Sequence, residues 1–349
     1  MARRVGIGVI GCGGAARIGH LKWYASNPNA RLVAVADVDE AKAKSCRNEF
    51  GAQYHFTDYR DLLKLDEVEG VSICTPPWLH KEQTVTAAEQ GKNVLCEKPM
   101  ARSLGECDEM IRACRRNGVK LMMGFMKRFN AGFQLVKENL APEKLGNPFY
   151  MDVHWEMYVE PLVKEWRLWD ERVGGGVFQD HGCHYIDLFR WWTGDEVEMV
   201  SAETLKLVAD RKFEDHAVAV LKFRKGALGI IETSKDTLVP GLQEYGWIHA
   251  EKGSVSFDSP PWNSFELPRL RISLKNGDAL TQVNFELRPD TLRYSTYMFK
   301  REIDHFVDCI LRDFNPIVTG ADGRAVIEVV LAAYRSYEEA RKIRLPLAT

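Results

Sequence analysis

Three side chains in this sequence have the chemistry to move an alcohol proton: Lys98, Asp180 and His184. An ammonium group can stabilise a developing alkoxide, an imidazole can accept the hydroxyl proton, and a carboxylate one helical turn away can orient the ring. All three lie downstream of a glycine-rich turn at residues 11–16 that is suited to a dinucleotide. The combination predicts a site for hydride transfer.

The glycine-rich turn reads Gly11-Cys12-Gly13-Gly14-Ala15-Ala16, directly after an apolar strand and before a helix. The first glycine permits the turn, the second lets backbone N–H groups approach a pyrophosphate, and the small sixth residue lets the helix pack closely. Asp37 ends the next strand and can accept hydrogen bonds from ribose hydroxyls. Because Asp37 would repel a 2′-phosphate and Val38 offers no cation, NAD is favoured and NADP is possible. The alternatives are a turn without a ligand and a capping role for Asp37.

Two further loops are predicted at the carboxyl ends of strands, where doubly wound sheets bind ligands. In Thr75-Pro76-Pro77-Trp78-Leu79-His80, the indole could flank the nicotinamide, whereas for the imidazole a structural role is favoured over a chemical one. Lys98 precedes Pro99, so their bond is a candidate cis peptide; an ordinary surface lysine is the alternative. The predicted cofactor contacts are Gly11, Gly13, Gly14, Ala15, Ala16, Asp37, Thr75, Pro76, Trp78, His80, Glu97 and Lys98.

The other candidates share one predicted helix. Asp180, His184 and Asp187 are spaced i, i+4, i+7 and would lie on one face, whereas His181 would point roughly 100° away. His184 is the predicted general base and Asp180 its orienting carboxylate, while a structural role is favoured for Asp187. An ordinary hydrogen-bonded histidine is the alternative for His184. The preceding glycines, 174–176, offer flexible backbone for the approach of a ligand, or belong to a mobile loop.

Composition limits the classes of function. The chain has 349 residues, 45% hydrophobic and 28% charged, which predicts a globular protein with two domains, 1–124 and 125–349. The net charge of -2, with both signs interspersed, argues against nucleic acid and membrane partners. No apolar run approaches the roughly 20 residues of a membrane span. Arg3-Arg4 resembles the start of an export signal, but the apolar run that follows is already a predicted strand, so no leader is expected.

The cysteines indicate the redox compartment. Eight are present, without a C-x-x-C pair, and most lie in apolar or helical stretches where a buried thiol is usual. This usage predicts a cytoplasmic protein. No metal site is predicted.

The pattern of apolar runs changes near residue 125. Before it, apolar runs at 5–10, 32–36, 71–74, 94–96 and 119–123 alternate with helical segments, several of them closed by a glycine such as Gly51, Gly91 or Gly118. After it, strand pairs 218–223/228–233, 247–250/254–257 and 270–274/279–285 flank tight turns, of which Asn276-Gly277 is the strongest signal. Amphipathic helices at 299–311 and 326–337 follow. The predicted fold is α/β, a doubly wound parallel sheet followed by an α+β domain with an antiparallel sheet.

Together these motifs resemble the Gfo/Idh/MocA family of NAD(P)-dependent oxidoreductases, which includes inositol and sugar dehydrogenases. The resemblance covers almost the whole chain. Pro77 departs from it, since many relatives have asparagine there, and the contacts of that loop are less well defined. The motifs are the turn at 11–16, Thr75-Pro76 with His80, Glu97-Lys98-Pro99, Arg128-Phe129, Trp166-Arg167, and Gly174-Gly175-Gly176 with Asp180, His184 and Asp187.

The resemblance implies an N-terminal Rossmann domain and a C-terminal domain with a large open, mainly antiparallel sheet. The outer face of that sheet commonly mediates oligomers in the family, so a homo-oligomer (dimer or tetramer) is expected. The resemblance also implies that Lys98, Asp180 and His184 are catalytic. The substrate is then expected near these three residues and near Arg128, Trp166 and Arg167.

The predicted activity is reversible oxidation of a secondary alcohol on a sugar or an inositol-like cyclitol. Two alternatives stay open. One is an NAD-dependent glycosidase that oxidises its sugar transiently, and the other is a regulator that senses a dinucleotide without turnover. The segment 154–170, rich in aromatic and charged residues, is expected to shape the substrate pocket, although each of its aromatic side chains could equally belong to the core.

Overall fold

The computed structural model describes residues 3–159, 166–239, 242–259, 269–276, 279–286 and 294–347. The chain forms two compact units, Met1–Phe129 with Tyr294–Ala325, and Asn130–Arg293 with Val326–Thr349. The first unit therefore extends five residues past the boundary predicted at residue 124. It also includes a helix that the prediction assigned to the second domain.

The first unit contains a six-stranded parallel sheet in the order β3-β2-β1-β4-β5-β6. Its inner strands are buried almost throughout, as expected for a parallel sheet covered on both faces. The doubly wound half of the predicted fold is confirmed. The strands are β1 (Val5–Ile10), β2 (Ala30–Ala36), β3 (Tyr54–Phe56), β4 (Gly70–Ile73), β5 (Asn93–Glu97) and β6 (Leu121–Gly124).

Local sequence signals explain where the helices of this unit begin and end. Gly51, Gly91 and Gly118 all adopt positive φ after helices, as their positions predicted. One helix begins at Pro77 and not at residue 81, because proline suits the first helical position, where no N–H partner is needed. The helices are a π-helical segment Ala16–Leu21, α1 (Lys22–Ser26), α2 (Glu40–Phe50), α3 (Tyr59–Leu63), α4 (Pro77–Glu89), α5 (Leu104–Arg116) and a 3₁₀ turn Met126–Phe129.

Helix α9 (Tyr294–Leu311) belongs to the first unit because its apolar face packs there. A Cβ atom added to Gly70 of β4 would lie 2.8 Å from Ile310 and 3.3 Å from Phe306. A Cβ on Gly19 would lie 2.7 Å from the ring of Phe299. Two glycines far away in sequence thus provide the space that lets this late helix approach the sheet.

The second unit contains a sheet with nine described strands in the order β14-β13-β12-β11-β7-β10-β9-β8-β15. Neighbouring strands are antiparallel except β7 and β10, which confirms the mainly antiparallel sheet. Part of the turn predicted at Asn276-Gly277 lies outside the described residues. The strands are β7 (Pro148–Glu156), β8 (Val197–Leu205), β9 (His216–Phe223), β10 (Leu228–Ser234), β11 (Gln243–Ala250), β12 (Gly253–Ser259), β13 (Arg269–Asn276), β14 (Ala279–Glu286) and β15 (Ile343–Arg344).

Helices of the second unit cover one face of its sheet. A Cβ atom on Gly229 of β10 would lie 2.7 Å from the Phe189 ring, so helix and sheet are in close contact. On the other face, Val220, Leu228 and Trp247 are exposed. The helices are α6 (Ala131–Asn139), α7 (Trp166–Trp169), a 3₁₀ turn Glu171–Val173, a π-helical segment Phe178–Gly182, α8 (Cys183–Thr193) and α10 (Gly320–Glu338), whose first turns belong to the first unit.

Among the described helices, none combines the length and the apolar character needed to cross a bilayer. All eight cysteines are free thiols.

Candidate active site

The glycines of the turn at residues 11–16 are present for different reasons. Gly11 has φ +94°, and a Cβ atom there would lie 2.8 Å from the carbonyl oxygen of Cys74, so the protein itself requires glycine. A Cβ on Gly13 or Gly14 would have no neighbour within 4 Å. Protein packing therefore does not require these two glycines, and their open backbone leaves room for the approach of a phosphate. Ala16 is fully buried, as expected for close helix packing.

Asp37 follows β2 and faces this turn. Its Oδ2 accepts a hydrogen bond from the Cys12 N–H at 2.7 Å, and its Oδ1 accepts one from the Asp39 N–H at 2.9 Å. Asp39, not Asp37, caps helix α2. The neighbouring Val38 is 92% exposed and offers no cation for a 2′-phosphate. The open glycines and this oriented carboxylate fit NAD.

We expect Asp37→Ala to weaken NAD binding by about 1.5–3 kcal/mol, the usual cost of losing hydrogen bonds to a charged group. Calorimetric titration of the variant with NAD measures this loss. Asp39→Ala is the matched control, because it removes the cap of α2 and should cost about 1 kcal/mol of stability without changing NAD affinity. Equal NAD affinity in wild type and Asp37→Ala would contradict the assignment.

His80 holds two loops of this sheet edge together. Its Nε2 lies 2.7 Å from the Thr75 carbonyl oxygen and its Nδ1 lies 3.0 Å from the Pro99 carbonyl oxygen. Burial lowers the pKa of His80 despite these contacts, and a neutral ring can donate to only one of the two oxygens. The ring is buried, in keeping with the structural role favoured for it. The predicted cofactor contacts of His80, Thr75, Pro76 and Trp78 stay predictions.

Lys98 follows β5 directly and is half-buried. The Lys98-Pro99 bond is cis, which confirms the expectation from sequence. The Lys98 N–H donates to Glu97 Oε2 at 3.0 Å, so the preceding carboxylate holds the backbone that carries the lysine. Its position at the carboxyl end of a parallel strand is the one from which such sheets contact ligands.

Arg128 makes structural contacts within the first unit. Its Nη1 donates to the Ile317 carbonyl oxygen and its Nη2 to Asp322 Oδ1, both at 2.9 Å. The guanidinium is buried and connects the 3₁₀ turn to the start of α10. Its predicted place near the substrate stays a prediction.

Asp180, His184 and Asp187 are all buried in the second unit. Asp180 lies in the π-helical segment and the other two lie in α8, so the regular helix face predicted for them is interrupted. His181 Nε2 is 3.2 Å from Asp180 Oδ2, and the ring stacks on Trp155 with centroids 3.5 Å apart. The expectation that His181 points away from this cluster was wrong. The wider π turn and the Trp155 ring bring His181 to the same carboxylate.

Two further cationic side chains surround Asp180. Lys235 Nζ donates to Asp180 Oδ2 at 3.1 Å, and Arg167 Nε lies 3.7 Å from Asp180 Oδ1. Lys235 is only 2% exposed, and a lysine is rarely buried to this extent unless an opposite charge, here Asp180, pairs with it. Sequence reasoning missed this residue; its signal was a lysine two residues after the predicted strand 228–233. The side chain of Trp166 lies outside the described residues.

The glycines ahead of this segment are closely packed. Gly174 has φ +86°. A Cβ on Gly175 would lie 2.5 Å from the Tyr334 hydroxyl, and a Cβ on Gly176 would lie 2.1 Å from the Glu214 carbonyl oxygen. Close packing therefore requires glycine at 175 and 176, and the left-handed backbone favours it at 174.

Glu214 and Tyr334, which sequence reasoning also missed, organise the start of the helix. The Glu214 carboxylate accepts the N–H groups of Gly176 and Phe178 at 3.1 and 3.0 Å, and the Tyr334 hydroxyl donates to the same carboxylate at 2.8 Å. Burial raises the pKa of Glu214 although these hydrogen bonds oppose the shift. A buried carboxylate thus caps the segment that carries Asp180.

The interior of the first unit also contains a carboxyl group, that of Glu302. Glu302 is fully buried, and neither of its oxygens has a hydrogen-bond partner within the part of the chain that the structure describes. Burial, with a smaller contribution from the charge of Glu97, raises the pKa of Glu302 well above its ordinary value. The raised pKa favours the protonated, neutral form of Glu302.

We expect Glu302→Gln to stabilise the protein increasingly as the pH rises. The raised pKa in the folded state means that wild-type stability is greatest below the ordinary carboxyl value of 4.5. That stability is lost by roughly 1.4 kcal/mol per pH unit up to the folded pKa. Glutamine removes this dependence. The free energy of unfolding of both proteins is measured at pH 5 and pH 9. We expect a small difference between them at pH 5 and a clear gain in stability for the variant at pH 9. An equal difference at both pH values would contradict the raised pKa of Glu302.

Outside these regions, His154, Glu156 and Glu232 form a group on the open sheet face whose ligand-type atoms lie within 4.8 Å of one another. Hydrogen bonds satisfy its members, since His154 Nδ1 lies 2.5 Å from Glu232 Oε2 and the Tyr245 hydroxyl donates to Glu156 at 2.9 Å. The predicted lack of a metal site stays a prediction.

Comparison with known proteins matches both halves of the chain. Residues 5–125 match a family model described as an oxidoreductase family with an NAD-binding Rossmann fold (GFO_IDH_MocA), and residues 137–345 match the C-terminal alpha/beta domain of the same family. A myo-inositol 2-dehydrogenase from Thermotoga maritima is 29% identical over 345 residues, covering 97% of this chain and 98% of the relative.

Solved structures agree with this match. An oxidoreductase domain protein from Kribbella flavida has a TM-score of 0.89 and 25% identity, with 99% of this chain and 100% of that chain covered. GenD2 from gentamicin A biosynthesis, solved in complex with NAD, has a TM-score of 0.85 and 26% identity, with 99% and 98% covered.

Proposed function

Because this chain belongs to the Gfo/Idh/MocA family of NAD-dependent oxidoreductases, we propose that it reversibly oxidises a secondary alcohol of a sugar or cyclitol. The observation that carries the proposal is the buried Asp180 carboxylate, with Lys235 at 3.1 Å and His181 at 3.2 Å, one helical turn before His184. The myo-inositol dehydrogenase among its relatives supports the substrate class.

The proposal gives each side chain a separate task. His184 takes the hydroxyl proton, Asp180 supports the charge that the ring acquires, and Lys98 stabilises the developing alkoxide. Lys235 holds the Asp180 carboxylate in place and favours its charged form by Coulomb attraction.

The turn at Gly13 and Gly14 would hold the pyrophosphate, and Asp37 would hold the adenosine ribose. NAD bound there supplies the acceptor for the hydride. Arg167, 3.7 Å from Asp180, is assigned to substrate binding together with Lys98, Asp180 and His184.

A homo-oligomer formed through the open sheet face and a cytoplasmic location complete the proposal. The exposed apolar side chains Val220, Leu228 and Trp247 on that face support the first, and eight free thiols support the second. Light scattering of the purified protein tests the assembly; a monomer at micromolar concentration would contradict it.

The activity is tested by a screen of NAD and NADP reduction against inositols, aldoses, uronates and lactones. We expect NADH formation with at least one cyclitol or sugar, and a preference for NAD because of Asp37. Release of an aglycone from glycosides without net NADH would instead identify the glycosidase. Tight NAD binding without any product across the panel would identify a regulator.

A further inference from the structure

A line of buried polar side chains leads to Lys98 from inside the first unit. It consists of Tyr24, Ser72, His20 and Glu97, all of which are buried. The Tyr24 hydroxyl is 2.7 Å from Ser72 Oγ, Ser72 Oγ is 3.1 Å from His20 Nδ1, and His20 Nε2 is 2.9 Å from Glu97 Oε1. The other Glu97 oxygen accepts the Lys98 N–H at 3.0 Å.

The direction of these hydrogen bonds follows from the acceptor at the end. An ionised carboxylate only accepts, so His20 Nε2 must carry the proton that it shares with Glu97. In a neutral ring, Nδ1 is then an acceptor, so the Ser72 hydroxyl donates to it and the Tyr24 hydroxyl donates to Ser72. Each donor in this line of four side chains has an acceptor.

The charge state of Glu97 agrees with this direction. Burial alone would raise the pKa of Glu97, but the hydrogen bond and Coulomb attraction from His20, followed by the charge of Lys98, outweigh burial and hold the pKa below its ordinary value. Burial and the charge of Glu97 raise the pKa of Glu302 and so favour its neutral form. Glu97 therefore carries the negative charge of this interior. The titratable groups that interact with Glu97 include His20, His80, Lys98, Glu302, Cys74 and Cys96.

We propose that His20 is a positioning residue for Lys98. With its Nε2–H directed at Glu97, it fixes one oxygen of that carboxylate, so that the other oxygen holds the Lys98 backbone at the end of β5. The inference rests on the catalytic role given to Lys98 in the proposed function.

His20 also connects the glycine turn with the end of β5. His20 and Tyr24 lie in the helical stretch that starts at the glycine turn. Gly19, between the turn and His20, packs against Phe299 of α9, which restrains the stretch from the other side. The segment predicted to bind pyrophosphate and the strand end that carries Lys98 are thus joined by one hydrogen-bonded line.

The first experiment measures which nitrogen of the His20 ring is protonated and does not depend on enzymatic activity. Long-range ¹H–¹⁵N spectra of the histidine-labelled protein should show a ring protonated at Nε2 whose signal is lost in His20→Gln. A His20 ring protonated only at Nδ1 would overturn the proposal.

The second experiment measures kcat, the KM of the alcohol and NAD affinity in His20→Leu and His20→Gln. We expect leucine to lower kcat about 10- to 100-fold, because a displaced reacting group is costly, with NAD affinity changed by less than about threefold. Glutamine should restore most of kcat, since its amide can donate to Glu97 and accept from Ser72. His55→Leu, a half-buried histidine of β3, is the control and should keep wild-type kcat. Wild-type kcat in His20→Leu would overturn the proposal.

If His20→Leu does not fold, Ser72→Ala and Tyr24→Phe test the same line from its far end. We expect each to loosen the hold on the His20 ring at Nδ1 and to lower kcat, with the larger effect for Ser72→Ala, because Ser72 contacts the ring directly. Wild-type kcat in both would overturn the proposal. Loss of turnover in Lys98→Met with normal His20→Leu would refute the role of His20 alone, whereas full turnover in Lys98→Met would refute the proposed function.

Discussion

A Lys98→Met variant is expected to lose about 10²- to 10³-fold in kcat, the usual cost of removing one group that stabilises a developing oxyanion. Methionine keeps the length and apolar stem of the side chain and removes only the ammonium. The Lys98 N–H can still donate to Glu97, so the backbone at the strand end should not move. NAD affinity should fall much less than kcat, because Asp37 and the glycine turn are untouched and Lys98 is only one of the predicted cofactor contacts.

The chain offers a matched control in Lys92→Met. Lys92 and Lys98 flank the same strand, β5, but Lys92 lies at its amino end, where Nζ donates to the Leu65 carbonyl oxygen at 2.9 Å. Parallel sheets bind ligands at the carboxyl ends of their strands, so Lys92→Met should leave kcat unchanged. Steady-state kinetics of both variants, with a thermal melt of each, separates chemistry from stability. Similar losses of kcat in the two would show that Lys98 acts only through the fold.

Gly176→Ala is expected to destabilise the protein by about 3 kcal/mol and to reduce turnover strongly. The added Cβ would lie 2.1 Å from the Glu214 carbonyl oxygen and 2.6 Å from its carboxylate, distances that cannot persist. Relief requires Glu214 to separate from the start of the segment that it caps. Because Asp180 and His184 follow in that segment, their positions shift with it. Denaturant unfolding gives the stability loss, and kinetics below the unfolding temperature give the loss of turnover.

Gly105→Ala is the control for this substitution. Gly105 lies in helix α5, where an added Cβ would meet nothing closer than Ser103 Oγ at 4.0 Å. Alanine should be neutral there or stabilise by about 0.5–1 kcal/mol, because glycine is unfavourable in helices. Wild-type stability of Gly176→Ala would instead mean that the triglycine segment is loose, as one of the sequence interpretations had it.

The triglycine segment shows where sequence reasoning stops. Glycine is common in mobile loops and is also needed where a loop is closely packed, so the residue type could not distinguish the two. The decision came from Glu214 and Tyr334, whose side chains meet although 120 residues separate them. The same holds for Lys235, which lies 55 residues from its partner Asp180. Neither pair leaves a periodic signal in the sequence.

Helix α9 and His181 are similar cases. The apolar spacing of α9 predicted a helix but not its partner, which is set by space at Gly70 and Gly19. A regular helix predicted that His181 points away from Asp180, but a π turn and the Trp155 ring bring the two together.

The sequence by itself determined the doubly wound half, the glycine turn with Asp37, and Lys98 at the end of a strand. Each depends on local rules: apolar periodicity, the backbone freedom of glycine, and the polarity of parallel strands. The tertiary structure alone decided which charges surround Asp180, what caps its helix, and that His20 contacts Glu97 across 77 residues. These contacts depend on burial and close packing, which exist only once distant segments have met.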